Sequence, residues 1–248
     1  VLLQAPHPAD ALSWKTPQRD DHAYFSGWSF AVMGGVQRWD LRTVEDVLEA
    51  RAADFATQGF DLPAPDFPWG PAFGLGISYH VSPDWLARVH AEWVTTKVSG
   101  RDAASFPELG GGVALVSLEY ETEVRARVAL VALRVERTRL FRDSAIAWGA
   151  GAVFAPIRVR DRVVDHLRGE ASEGDRETFA TGWGIGLEVG ATWEYLLDGG
   201  TSLFLEGFYR NGSARVTLDE PAFDGTLTPS EREVEFTGPG IRLGMGWN

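Results

Sequence analysis

Residues 181–195 read TGWGIGLEVGATWEY. Trp183, Ile185, Leu187, Val189, Ala191, Trp193 and Tyr195 fall on one parity. Gly182, Gly184, Gly186, Glu188, Gly190, Thr192 and Glu194 fall on the other. A β-strand points successive side chains to opposite faces. One face here is therefore apolar and aromatic throughout; the other is glycine-rich, with two carboxylates and a threonine. A soluble barrel would turn the apolar face inward. That face is too bulky for a small interior, whereas the glycine face packs into a narrow lumen. The expectation is that Trp183 to Tyr195 point outward and Glu188 and Glu194 inward.

The alternation recurs over 28–36, 73–81, 85–95, 114–130, 146–156, 201–217 and 236–247. With 181–195 this makes eight strands. In 114–130, Val116, Leu118, Tyr120, Val124, Ala126, Val128 and Leu130 oppose Ser117, Glu119, Glu121, Glu123, Arg125 and Arg127. The parity of the apolar residues slips near 130–133, which predicts a bulge. Ser82-Pro83-Asp84, Leu140-Phe141-Arg142-Asp143 and Asp198-Gly199-Gly200 are turn signals. Residues 40–69, 98–112, 158–178 and 218–235 read as long polar loops. Short and long links alternate, so all short turns fall at one end, as in a transmembrane barrel. The fold expected is all-β: an eight-stranded antiparallel transmembrane β-barrel of up-and-down topology over 26–248, preceded by a tail over 1–25. Only helices and closed barrels satisfy their backbone in lipid, and no run of about 18 apolar residues offers a spanning helix.

Composition narrows the function classes. The 248 residues carry a formal net charge of −12, which argues against a nucleic-acid binder. There is no cysteine, hence no disulfide frame, thiolate metal site or cysteine nucleophile. Val1-Leu2-Leu3 lacks the basic leader of a signal peptide, so a mature form with its signal removed is expected.

The last strand, Gly240-Ile241-Arg242-Leu243-Gly244-Met245-Gly246-Trp247-Asn248, alternates apolar residues and nearly ends on an aromatic. With the eight-strand pattern, it resembles the small outer-membrane β-barrel proteins of Gram-negative bacteria, of the OmpX/OmpW type. The resemblance implies a bacterial outer-membrane location and lipid or lipopolysaccharide surroundings. It also implies a structural or surface-interaction role, or passage of small apolar molecules. A surface lipid-modifying enzyme and a soluble ligand-binding barrel are the rival readings. A protein partner would meet the long loops or the tail; the oligomeric state stays open.

Trp28, Trp93, Trp148, Trp183, Trp193, Tyr195 and Trp247 are expected to face lipid. The lumen set expected is Arg88, His90, Glu92, Glu119, Glu121, Glu123, Arg125, Arg127, Arg134, Glu188, Glu194, Glu206 and Arg210. Mixed signs suit an ion-paired plug rather than a one-sign selectivity ring. No catalytic residue, metal or cofactor is assigned. His80 and Ser82 share a face, but beside a short turn, and a triad is recognised by geometry. His80, His90 and Glu92 as metal ligands are outweighed by a hydrogen-bonded lumen network. The acidic loops, such as Glu45, Asp46 and Glu49, read as solvated, with no Asp-x-Asp-x-Asp-Gly calcium loop.

Three local expectations complete the reading. Thr43 with Asp46 resembles a helix start, and Val44, Val47, Leu48, Arg51 and Phe55 then share a helical face over about 41–58. The tail is expected to dock through Leu2, Leu3, Leu12 and Trp14. A three-residue Asp198-Gly199-Gly200 loop would set Glu188 opposite Arg210 and Gly190 opposite Phe208.

Overall fold

The computed structural model describes residues 27–61, 69–107, 115–141, 143–167, 170–171, 176–197, 200–221 and 227–247. The tail over 1–25 and its four anchors lie outside the described residues. Eight long strands form the wall: β1 (Gly27–Gln37), β2 (Gly70–Ser82), β3 (Trp85–Pro107), β4 (Leu115–Leu140), β5 (Ser144–Leu167), β7 (Arg176–Leu196), β8 (Thr201–Pro221) and β9 (Leu227–Trp247). β6 is the two-residue piece Glu170–Ala171 on β5, and the helix α1 spans Arg42–Thr57 between β1 and β2. Each long strand pairs antiparallel with its neighbour in sequence, and β1 pairs with β9 (Phe30 opposite Trp247 to Gln37 opposite Gly240), closing the sheet. The chain is an eight-stranded, up-and-down, antiparallel barrel. Closure leaves no free edge in the lower wall.

Parity sorts the side chains around this ring. Toward the short turns, Trp28, Phe30, Phe73, Leu75, Trp93, Leu133, Trp148, Trp183, Leu187, Trp193, Tyr195, Leu205, Leu243 and Trp247 are all exposed on the outside. The opposite parity carries Arg88, His90, Glu92, Arg134, Glu188 and Arg210, all buried.

Toward the long-loop end the polarity inverts. On β4 the inward residues Val124, Ala126, Val128, Leu130 and Ala132 are buried and apolar, and the inward residues below them are Arg134 and Glu136. The outward residues are Val131, Leu133 and Val135 below and Arg127 above, the last exposed. No bulge lies at 130–133: the pairing of β4 with β3 runs without a shift from Trp85 opposite Arg137 to Pro107 opposite Leu115. The apparent slip is a change of surroundings at constant geometry. Below it the outward side chains are apolar and the inward ones charged; above it the outward ones are charged and the inward ones apolar. The register shift among the described residues of β2 and β3 lies instead at His80/Ser82, beside the turn.

This inversion also corrects the loops. Residues 98–112, 158–178 and 218–235 read as polar loops, yet β3, β5, β7, β8 and β9 run through large parts of them. A strand wet outside and apolar inside has the alternation of an ordinary soluble sheet, and its many charges disguise it as a loop.

β1 and β2 are short. β1 meets β9 up to Gln37 opposite Gly240, and β2 meets β3 up to Ala72 opposite Val94. After Gln37 the chain follows β9 briefly, with the Asp40 N–H donating to Thr237 O at 2.7 Å. It then turns inward at Trp39 and Leu41, both fully buried. The helix begins at Arg42, one residue before Thr43, and Leu41 holds the N-cap position without a side-chain cap. Leu48 and Val44 pack on Val124, Val159, Ala180, Val216 and Val234, contributed by β4, β5, β7, β8 and β9. The helix is thus a stopper in the upper barrel. Its exit is held by Phe55 and Phe60 against Tyr120, each with ring centroids 4.7 Å apart, and by the Asp61 N–H donating to Asp102 Oδ2 at 2.5 Å.

Candidate functional site: the ion-paired lumen

The lower lumen holds four arginines, Arg88, Arg134, Arg210 and Arg242, and four glutamates, Glu92, Glu136, Glu188 and Glu206, all buried among the described residues. Their charges cancel. β3 supplies Arg88 and Glu92, β4 supplies Arg134 and Glu136, β7 supplies Glu188, β8 supplies Glu206 and Arg210, and β9 supplies Arg242. Each stands on the inward parity of its strand, so the alternation aims all eight at one axis.

Glu188 is the hub. It accepts from Arg210 Nε at 2.5 Å, Arg134 Nη1 at 2.9 Å and Arg242 Nη2 at 3.0 Å, and His90 Nε2 lies 3.4 Å away. Glu92 accepts from Arg210 Nη2 at 2.6 Å and from Arg242. Glu206 accepts from Arg134 and from Arg242 Nη2 at 3.3 Å. Glu136 accepts from Arg134 Nε at 2.7 Å and lies 3.5 Å from Arg88. Arg88 also donates to Thr192 Oγ1 at 3.2 Å, and Gln37 Oε1 accepts from Arg210. A buried ion that lost its partners would cost roughly several kcal/mol; here each carboxylate meets at least two cations.

Glycines make room for this density. Phe208 faces Gly190 on one side and Gly240 on the other. A Cβ at Gly240 would collide with the Phe208 ring, and one at Gly190 with Arg134 Nη1. Arg242 Cζ lies 3.9 Å and Arg210 Cζ 4.3 Å from the Phe208 ring centroid, within cation–π range. The hairpin register behind these contacts is the one expected from a three-residue loop. Glu188 opposes Arg210, Leu197 N–H donates to Thr201 O at 2.8 Å, and Gly200 has φ of 79°, a left-handed value that suits glycine.

Of the residues assigned to the lumen from sequence, the structure brings together Arg88, His90, Glu92, Arg134, Glu188, Glu206 and Arg210. Glu194 stands nearer the turn end and accepts from Ser202 Oγ. Glu119, Glu121, Glu123, Arg125 and Arg127 are not in the lumen. They occupy the outward parity of upper β4, opposite in direction to buried Val124 and Ala126. Lys97 Nζ lies 2.6 Å from Glu123 Oε2, and Arg101 pairs with Glu119. Hydrogen bonding from Lys97, then the Lys97 and Arg125 charges, holds the Glu123 carboxyl below the usual carboxylate range despite an opposing desolvation contribution. The correction has the cause given above: a single polarity rule fails on a strand that crosses between two media.

Sequence reasoning does not find Gln37, Glu136 and Arg242. Glu136 and Arg134 continue the even parity of Val124 to Ala132, so following parity without the supposed bulge reaches them. Arg242 sits on the glycine parity of the last strand, the same signal that marks Glu188. His80 and Ser82 are partly buried on the inward parity beside the turn. Among the described residues no group of three or more His, Asp or Glu side chains is placed to hold a metal ion.

The outer surface decides the solvent. The outward positions carry Trp28, Trp93, Trp148, Trp183, Trp193, Tyr195 and Trp247, all exposed, together with aliphatic side chains on every long strand. A band of this extent is far larger than a monomeric protein exposes to water. Charged groups fill the inside at the same level, the arrangement of an outer-membrane-type barrel. Among the described residues no helix is long and apolar enough to cross a membrane.

No protein-family model matches the chain, and no curated protein matches it in sequence. Its likenesses are to solved structures. Outer membrane protein OprG of Pseudomonas aeruginosa is 13% identical, with 90% of this chain and 95% of that chain covered and a TM-score of 0.44. A major outer membrane protein of Thermus thermophilus is 14% identical, covering 89% of this chain and 98% of that one, with a TM-score of 0.46. The outer membrane protease OmpT of Escherichia coli is 10% identical, covering 90% and 93%, with a TM-score of 0.37.

Proposed function

We propose that this chain is a closed, non-enzymatic barrel of the bacterial outer membrane, supporting the envelope and presenting its long-loop end for surface interaction. The observation that carries this is the neutral four-arginine, four-glutamate layer. It spans the lumen from strands around the ring, and the interior of an eight-stranded barrel is just filled by side chains. An ion crossing it would have to displace partners that hold each carboxylate at least twice. Planar-bilayer recording of the purified chain tests the reading: no discrete conductance steps are expected, and regular steps at neutral pH would overturn it. The enzyme alternative is tested on the same preparation by release of acyl chains or peptides, with no turnover expected.

One observation favours a second reading, the uptake of small apolar molecules. Above the ionic layer the lumen is apolar, and a cavity of about 60 Å³ lies between α1 and the walls of β4, β5, β7, β8 and β9. It has the volume of about two water molecules, so a larger guest requires α1 to move. Saturable binding of an apolar dye, abolished when Leu48 is enlarged to Trp, would support it.

A further inference from the structure

We propose that the outward face of upper β4 and β5 binds the phosphorylated headgroup of an outer-leaflet lipid through Arg127 and Arg158. The proposal rests on the reading of the chain as a membrane barrel and adds a site to it. Arg127 stands directly opposite Arg158, and Arg125 opposite Arg160. Like charges facing across a strand pair destabilise a sheet, yet two such pairs are stacked here. Lys97 opposes Arg125 from the other side. The nearest carboxylates are engaged at the top of the block: Glu123 with Lys97 and, at 3.0 Å, with Arg125, and Glu177 with Arg160. Among the described residues neither Arg127 nor Arg158 is paired with a carboxylate. Arg158 lies over the Phe179 ring, 4.7 Å from its centroid. Arg125, Arg127, Arg158 and Arg160 line a surface hollow of about 300 Å³ together with Phe179 and Glu177, the latter held by Arg160.

The place of the block selects the ligand. One step toward the turn end on the same parity, Arg127 gives way to Ala129 and then Val131, and Arg158 to Pro156 and then Phe154. Trp183 opposes Pro156. The arginines therefore sit on the upper border of the lipid-facing band. An amphiphile whose acyl chains lie along Phe154 and Trp183 brings its headgroup to Arg127 and Arg158. Guanidinium forks match phosphate oxygens in bidentate geometry, and a phosphate between facing arginines removes the repulsion that the bare pair carries. A free phosphate gains nothing from the apolar strip below.

The test uses the full chain in detergent, with native mass spectrometry reading retained lipid. The probes are diphosphorylated lipid A, its dephosphorylated form, inorganic phosphate and heparin. Wild type is expected to retain the diphosphorylated lipid, and the Arg127→Gln/Arg158→Gln double variant to bind it about tenfold or more weakly. The dephosphorylated form is expected to bind both proteins alike and weakly. Arg137→Gln, an outward arginine near the short turns, keeps wild-type retention. Equal retention by the double variant, or no preference for the phosphorylated lipid, overturns the site. Inorganic phosphate or heparin competing at the lipid's own concentration overturns the lipid as its occupant. Insertion into phospholipid vesicles is measured first. A chain that stays in water without detergent overturns the membrane reading, whereas one that inserts and ignores lipid phosphate overturns the site alone.

Discussion

Arg210 makes contacts with three groups from three strands: Glu188 on β7, Glu92 on β3 and Gln37 on β1. Removing it leaves Glu188 and Glu92, both buried, short of a cation. Arg210→Ala is therefore expected to cost about 3–5 kcal/mol. The Glu188→Ala/Arg210→Ala pair should cost less than the sum of the two single changes, because the second removes the stranded charge. A double-mutant cycle by urea unfolding in vesicles measures the coupling, and a coupling of zero would refute the pair. Glu188 and Arg210 are legible in sequence because both lie on the small-residue parity of a hairpin whose loop fixes the register. Arg242 lies on the same parity, but the resemblance of its strand to a terminal signal hides its place in the lumen.

At the scale of the element, β4 and α1 teach opposite lessons. β4 keeps its parity over its whole length while its surroundings change. An alternation pattern reports which face is buried, not which face is inside; in lower β4 the outward face meets lipid and in upper β4 the inward face meets the α1 core. Pattern alone cannot show where the medium changes. Read by one rule throughout, it turns Glu119 to Arg127 the wrong way and needs a bulge to reconcile two halves of one straight strand. The helix is readable because Val44, Leu48 and Phe55 repeat at helical spacing, although its first turn starts ahead of the Thr43 signal. Its docking is testable. Leu48→Asp puts a carboxylate in place of a buried apolar side chain that packs among Val124, Val159 and Val216. Limited proteolysis should then cleave within α1, while the barrel keeps its heat-modifiable gel migration. Unchanged resistance of α1 would show that its contacts with the wall do not hold it.

For the whole molecule, the apolar band sets the orientation in the bilayer. Leu187 is 66% exposed in the middle of the outward face of β7, between Trp183 and Trp193. Leu187→Arg is expected to lower folding free energy in bilayers by about 2–4 kcal/mol if Leu187 lies at the midplane. A substitution with no effect there would place the band outside lipid. The same change in a soluble barrel would put a charge into water at almost no cost, so its size separates the two solvents.

The ionic layer also constrains how the barrel is made. Its eight charges come from β3, β4, β7, β8 and β9, and Arg242 on the final strand completes the coordination of Glu92, Glu188 and Glu206. A sheet that entered the bilayer before β9 met β1 would carry those three carboxylates into hydrocarbon without that cation, and with an open edge of unpaired backbone as well. Assembly step by step from the first hairpin thus climbs steeply until the last strand arrives. Insertion and ring closure are bound into one event, with the final strand acting as its latch.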